Sequence, residues 1–509
     1  WAKNTQSLEI TAGAFGIKFN GKYNYVYSNY EFIDAFAPKT FTNEITRIEI
    51  NANKKDSLFW NTNRPIPLTI EESTDYVRKD SIYKVRNSEK YLDSIDTKEN
   101  KFKLLKLLTG YTYKNSTEKH SFSYEGLLNL GSLSFNTVQG YNFDSGFRYT
   151  NWKNQESKGI YTSISTKLNY GFAEDRLRVT GQFIHRFNNQ NYATLYMTGG
   201  SSVKQFNPNE PISKVINTIS SLAFKNNFMK LYNLESAAIG YSQDIANGVN
   251  LNGKIEYQQR KPLFNNTDFS LFSKDDLYTS NNPLAPNDFT SPAFEKHHLT
   301  KVNLQAKINF GNKYSSRPDG KFNIRNEKYP TLYLVYEKAV AANEKKYEFD
   351  HFNTRLTYDL TLGNKGVLGM NLKAGKFLNA DNIAFIDYKH FNGNQTHIGQ
   401  TARYLNVFNL LPYYSNSTND SYFEAHTEYN DKGYIMNKIP LLNKLKSTLI
   451  LGAHALSTPN NKPYTEVTVG LDNLGFGKFK MLRVDYVRSY QNGFQGDGVV
   501  FGLKFLNIL

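Results

Sequence analysis

The chain has 509 residues, no cysteine, a formal charge of +15 and a mean hydropathy of −0.57, yet 36 Tyr and 36 Phe make it 15% aromatic with its tryptophans. No stretch approaches the roughly 18 consecutive apolar residues of a membrane-spanning helix, and without cysteine there are no disulfides, thiolate chemistry or Cys-ligated metals. Many aromatics in a polar chain fit a barrel whose strands put alternate residues into lipid; the charge fits solvated loops and a polar lumen, or attraction to anionic lipid headgroups or lipopolysaccharide, and no basic helix or RNA-binding signature points to nucleic acid.

Trp1-Ala2-Lys3 lacks the apolar core of a secretory signal and opens inside a strand-like stretch. The chain is therefore expected to be the C-terminal part of a longer, processed protein. Strand signals at 8–12, 23–27 and 45–50 read as the end of an antiparallel sheet. Phe59 to Thr69, punctuated by Pro65 and Pro67, reads as extended. Thr69 followed by Glu71 and Glu72 predicts a capped helix over 70–94. Residues 1–130 are thus expected to be a periplasmic sheet-plus-helix segment, and 131–509 a transmembrane antiparallel β-barrel.

From Gly131 the apolar period becomes two. Leu177, Val179, Gly181 and Phe183 oppose Arg176, Arg178, Thr180 and Gln182; Val302, Leu304 and Ala306 oppose Lys301, Asn303 and Lys307. A soluble sandwich alternates too, but its strands usually run about 5–6 residues, and these run about 10–12, enough to cross a bilayer at a tilt. About sixteen strands are expected, the first over 132–149, the eleventh over 382–391 and the last over 498–507. One long loop, 392–419, joins the eleventh to the twelfth. Parity sets the insertions 200–233 and 262–296 at the opposite, periplasmic end. Within the first of them Ile212, Val215, Ile219 and Leu222 recur at helical spacing after Pro211. They read as a helix packed on the barrel's base or as a periplasmic docking surface.

Phe59 to Leu68 (FWNTNRPIPL), the stretch from Ser134 to Gly140 (SFNTVQG), that from Asn227 to Tyr232 (NFMKLY) and that from Asn437 to Leu442 (NKIPLL) resemble a Bacteroidota family of outer-membrane proteins without assigned chemistry. That resemblance implies a carboxypeptidase-regulatory-like domain upstream. The loop's place between strands eleven and twelve, and the segment Glu424 to Asn430 (EAHTEYN), are more distantly similar to the BamA/TamA outer-membrane assembly superfamily. The superfamily's loop carries an Arg-Gly motif that enters the lumen and pairs with acids on the wall. Here Arg403 is followed by Tyr404, and the resemblance implies that Arg403 reaches toward Glu466, Asp485 or Glu424. The last strand, from Val499 to Phe505, resembles a barrel-assembly signal but ends Leu506-Asn507-Ile508-Leu509.

The nine histidines are scattered. His297 and His298 are adjacent and should face opposite ways; His390 and His397, with Asp387 near, flank the long loop as ordinary loop polar residues or as a metal site. No Ser-His-Asp order, metalloprotease helix or phosphate loop appears in a suitable context, so neither enzyme activity nor a cofactor is expected. Lumen-facing Arg176, Arg178, Lys301, Lys307, Arg355, Asp359, Arg483 and Asp485 fit a mutually paired interior or a conduit for anions. The expected function is that of a subunit in an outer-membrane protein assembly or export complex, bound to lipid and to other outer-membrane proteins or lipoproteins. The alternative is a solute transporter or porin-like channel.

Overall fold

Neighbouring residues part to opposite faces all along the sheet, and the charged ones turn inward. In the computed structural model Glu466 is 1% exposed and the next residue, Val467, 49%. Glu424, His426 and Glu428 are buried on one strand while Phe423, just before them, stands out. Arg483 and Asp485 are buried beside an exposed Tyr486. A pleated strand sends alternate side chains to opposite faces. The result inverts a water-soluble protein: the interior is polar and charged, the exterior apolar and aromatic.

The structure describes residues 3–503 apart from 15–16, 28–29, 50, 53, 129–130, 153–158, 273–274, 325–327 and 478. One antiparallel sheet curls into a barrel. Its first position, β1, is shared by His120–Tyr124 and Leu133–Asn136. Then come β2 (Gly140–Trp152), β3 (Tyr161–Gly171), β4 (Arg176–Arg186), β5 (Thr194–Gln205), β6 (Leu231–Ala246), β7 (Val249–Pro262) and β8 (His297–Asn309). They are followed by β9 (Thr331–Val340), β10 (Phe349–Thr361), β11 (Val367–Leu378), β12 (Ser421–Asn430), β13 (Thr448–Thr458), β14 (Asn461–Phe476), β15 (Phe479–Gln491) and β16 (Phe494–Leu503). Pairing is continuous from β1 to β16. A short strand, Tyr111–Asn115, lies outside β1.

Two sequence expectations fail here, and together they move one end of the barrel. The stretch 132–149 is two strands, because the Asn136 side chain accepts the N–H groups of Val138 and Gln139 and Gly140 takes φ 66°, making a tight turn. The stretch 382–391 is not a strand. It begins with the single turn Phe385–Asp387, and the long loop therefore spans 379–420. One error adds a strand and the other removes one, so the parity between them shifts. The insertions 206–230 and 263–296 consequently lie at the same end as the long loop. Phe206 packs on Phe294 at 5.8 Å and on Phe385 at 6.5 Å, and Asn207 donates to Asn392 Oδ1 at 3.0 Å. These three segments form one cap.

The docking helix belongs to that cap. It spans Lys214–Phe224, with Ser213 capping Ile216 N. Ile212 and Leu222 are buried, Val215 is half-buried and Ile219 is exposed, so only part of the apolar stripe faces outward. Glu44–Arg47, from the N-terminal segment, pairs at the other end with Lys313–Arg317 of the β8–β9 connection. Of the stretch 59–69 expected to be extended, residues 59–63 belong to a helix, Ser57–Asn63, because Asp56 caps Phe59 N. The Thr69 helix has its capping box with Glu72 and ends at Arg86; Ser88 caps a second helix, Glu89–Glu99. Phe505 and the residues after it, and Ile50, lie outside the described residues.

The shared cap gives a direct test. In this cysteine-free chain, Asn207→Cys with Asn392→Cys should cross-link under a mild oxidant or a short bismaleimide. Insertions at opposite ends of the barrel could not react.

Candidate functional site

The tip of the long loop, Arg403-Tyr404, is held inside the barrel by a chain of charges. Arg403 Nη1 donates to Asp359 Oδ1 on β10 at 2.7 Å, and its Nε reaches Glu428 Oε1 on β12 at 3.4 Å. Glu428 Oε2 accepts the Tyr404 backbone N–H at 3.1 Å and Arg483 Nη1 from β15 at 2.8 Å. Arg483 Nε also donates to Asp485 at 2.7 Å, and its guanidinium lies 3.9 Å from the centre of the Tyr404 ring. Tyr404, where the superfamily pattern has Gly, thus adds a cation–π contact and packs on Val487 and Val500. Side-chain-free positions make room for the tip. A Cβ on Gly369 would strike Arg403, and one on Gly399 the Tyr404 hydroxyl; Gly502 would place its Cβ 2.7 Å from that hydroxyl.

Arg403 does not pair with Glu466, Asp485 or Glu424; each of the four has other partners than the resemblance implied. Arg403 goes to Asp359 and Glu428. Glu466 instead accepts the loop's Asn409 and Leu410 backbone N–H groups at 2.6 and 2.8 Å, with Tyr464 Oη donating at 2.7 Å. Asp485 belongs to Arg483. Glu424 accepts Lys373 Nζ at 2.7 Å and His426 Nε2 at 2.8 Å. Glu428, His426 and His454 were not singled out from the sequence, although the alternation in EAHTEYN places Glu424, His426 and Glu428 on one face.

His426 Nδ1 lies 2.9 Å from His454 Nδ1, and His454 Nε2 lies 3.4 Å from Asn409 Nδ2. A carboxylate only accepts, so His426 carries its proton on Nε2, toward Glu424, and offers a lone pair at Nδ1. His454 then carries its proton on Nδ1 and accepts from Asn409 at Nε2. The run Asn409–His454–His426–Glu424 is therefore consistent with two neutral rings and ties the loop to β12 and β13.

Nearer the cap, Asp387 pairs with Arg260 and, at 3.0 Å, with Lys301, which also donates to Glu337 at 2.7 Å. Burial alone would raise the Asp387 carboxyl, but the two cations hold it well below the usual carboxylate range. His390 is pushed down to about 3 by burial, and its Nδ1 meets Ser417 Oγ at 2.8 Å. His397 lies by the Val499 carbonyl. His390, His397 and Asp387 therefore do not converge, and among the described residues no group of three or more His, Asp or Glu is placed to hold a metal. His297 stacks on Tyr347 and His298 faces Tyr257, on opposite sides of β8. In the cap Lys230, lowered to about 7 by burial, donates to Thr279 and Ser280.

The far edge of β16 is the second feature of the site. A loop segment pairs there: Ile398 is in parallel register with Phe501 and Gly399 with Gly502, and Phe501 N donates to the His397 carbonyl at 2.9 Å, while Tyr111–Asn115 is the strand next in order. Among the described residues no register joins β16 to β1. β1 itself is interrupted between Tyr124 and Leu133. The short helix Leu105–Thr109 packs at that break, with Leu127 and Leu128 N–H groups donating to Leu108 O and with Leu104, Leu105 and Leu107 exposed.

With this architecture go an interior of matched charges and an apolar outer wall, the marks of a membrane β-barrel. The chain belongs to a family of unknown function, DUF5686, whose C-terminal domain matches residues 105–471. No curated protein matches the sequence. BamA from Haemophilus ducreyi lacking POTRA domains 1–3 is similar at 9% identity and a TM-score of 0.40, over 77% of this chain and 69% of that one. CdiB from Acinetobacter baumannii is similar at 10% identity and 0.34, over 72% and 57%. Pseudomonas aeruginosa OccK11 (OpdR) is similar at 10% and 0.24, over 75% and 91%.

Glu428 binds the tip most heavily. Removing one partner from a buried ion pair costs about 3–5 kcal/mol, so Glu428→Ala should lower denaturant resistance of the detergent-solubilised barrel by about that amount. Asp75→Ala, in an exposed pair with Arg78 and Lys79, should leave the unfolding midpoint where it was.

Proposed function

We propose that this chain is an outer-membrane β-barrel acting as a subunit of a protein assembly or export complex, with the β1–β16 seam as its working surface. The apolar exterior supports the membrane. No helix among the described residues is long and apolar enough to cross one, so the strands would do the crossing. The observation that carries the working surface is the edge of β16, where loop residues 397–399 pair and the strand next in order is the short Tyr111–Asn115 rather than β1. An edge strand offers a row of backbone donors and acceptors to another chain, and in hydrocarbon an unpaired edge is costly. An edge held by a short, exchangeable loop segment beside an interrupted first strand suits the addition of a polypeptide strand. Lipids and other outer-membrane proteins or lipoproteins would be the partners.

A solute channel is the second reading, since a barrel of this size is wide enough to conduct. Two experiments separate them. Extraction from native membrane in mild detergent should bring a stoichiometric partner; a chain that runs alone contradicts the assembly reading. In planar bilayers the purified chain should be silent, because the loop fills the lumen; steady conductance would favour the channel.

A further inference from the structure

The lumenal wall carries a half-enclosed cavity of about 470 Å³ between β8–β11 and the loop tip, toward the end where the N-terminal segment docks. Four charged side chains line it: Lys307, Arg355, Arg403 and Asp359. Its carboxylate, Asp359, is engaged by Arg403. Lys307 and Arg355 meet no carboxylate among the described residues. Several other wall cations are matched: Arg178 with Glu174, Arg260 with Asp387, Lys301 with Glu337, Lys373 with Glu424 and Arg483 with Asp485.

Cross-strand register sets the two unmatched cations on either side of Tyr333. Lys307 faces Tyr333 across β8–β9, and Tyr333 faces Arg355 across β9–β10. Lys307 Nζ lies 5.8 Å and the Arg355 guanidinium 5.7 Å from the centre of that one ring. Arg355 Nε is oriented by Asn371 Oδ1 at 2.9 Å, which leaves its terminal nitrogens free for a bidentate contact. The adjacent rung supplies neutral groups: Asn309, Thr331, Thr357 and Asn371 follow one another in register and line the same cavity. Thr331 Oγ1 donates to Asn309 Oδ1 at 2.9 Å, so the Asn309 amide hydrogens remain available. A planar cation, a point cation and a rung of amide and hydroxyl groups in a confined space form a site for an oxyanion.

We propose that this cavity binds a small ligand carrying a phosphate or carboxylate group, held by Lys307 and Arg355 from the cavity wall. The inference is independent of the strand-addition reading, since the cavity does not include β16 or β1.

The test uses the purified full chain in detergent micelles, titrated calorimetrically with inorganic phosphate and, separately, with succinate against chloride at matched ionic strength. Saturable binding of either oxyanion above chloride is expected, and the one that binds sets the class. Lys307→Gln and Arg355→Gln should each weaken it about tenfold, the loss of one charge-assisted contact of about 1.4 kcal/mol, while Lys79→Gln on an exposed helix leaves it unchanged. Retained heat-modifiable mobility on gels checks that the variants fold. The unaltered chain decides on its own: if neither oxyanion binds saturably above chloride, the proposal is overturned, as it is if folded Lys307→Gln and Arg355→Gln chains bind as tightly.

Discussion

Ionised groups cannot be left alone in a confined interior, and this requirement organises the barrel. A buried charge without a partner costs several kcal/mol, whereas a matched pair with its hydrogen bonds satisfied comes close to neutral. The lumen answers by sharing. Glu428 serves Arg403, Arg483 and the Tyr404 amide at once, and Asp387 serves Arg260 and Lys301. Because several cations come from the wall and several acceptors from the loop, or the reverse, the loop is as necessary to the wall as the wall is to the loop. The same logic sets Lys307 and Arg355 apart, since they are confined yet unmatched.

The two ends of the barrel are built differently. At one end the long loop and the insertions 206–230 and 263–296 share a hydrophobic cluster in which Phe206, Phe294, Phe391, Phe408 and Leu411 are buried. At the other, the N-terminal segment adds a strand to a short hairpin.

Much of this was legible in the sequence. Alternation identified the inward charges, and the loop between the eleventh and twelfth strands was located with its Arg403 tip. The errors have local physical causes. The turn at Thr137–Gln139 is closed by the Asn136 side chain, so 132–149 read as one strand. The loop residues 382–391 are rich in apolar and aromatic residues because they pack in a buried layer, with Ile383, Ala384, Ile386 and Phe391 inside, and so imitate a strand. Each error is one strand, but a single missed turn flips the parity of every insertion until the second error restores it, and the cap was divided between two ends. The pairing of Arg403 with Asp359 and Glu428, rather than with Glu466 or Asp485, depends on stagger between distant strands, which no local pattern encodes. The glycine cradle around Tyr404 is likewise a tertiary property.

The central claim is a wall with charge inside and lipid outside. Single cysteines at 466 to 471 on β14, each carrying an environment-sensitive fluorophore, would report on it in vesicles containing brominated lipid. Quenching at 467, 469 and 471 with none at 466, 468 and 470 is the expected result. Uniform protection, or quenching at Glu466 and Thr468, would contradict the account.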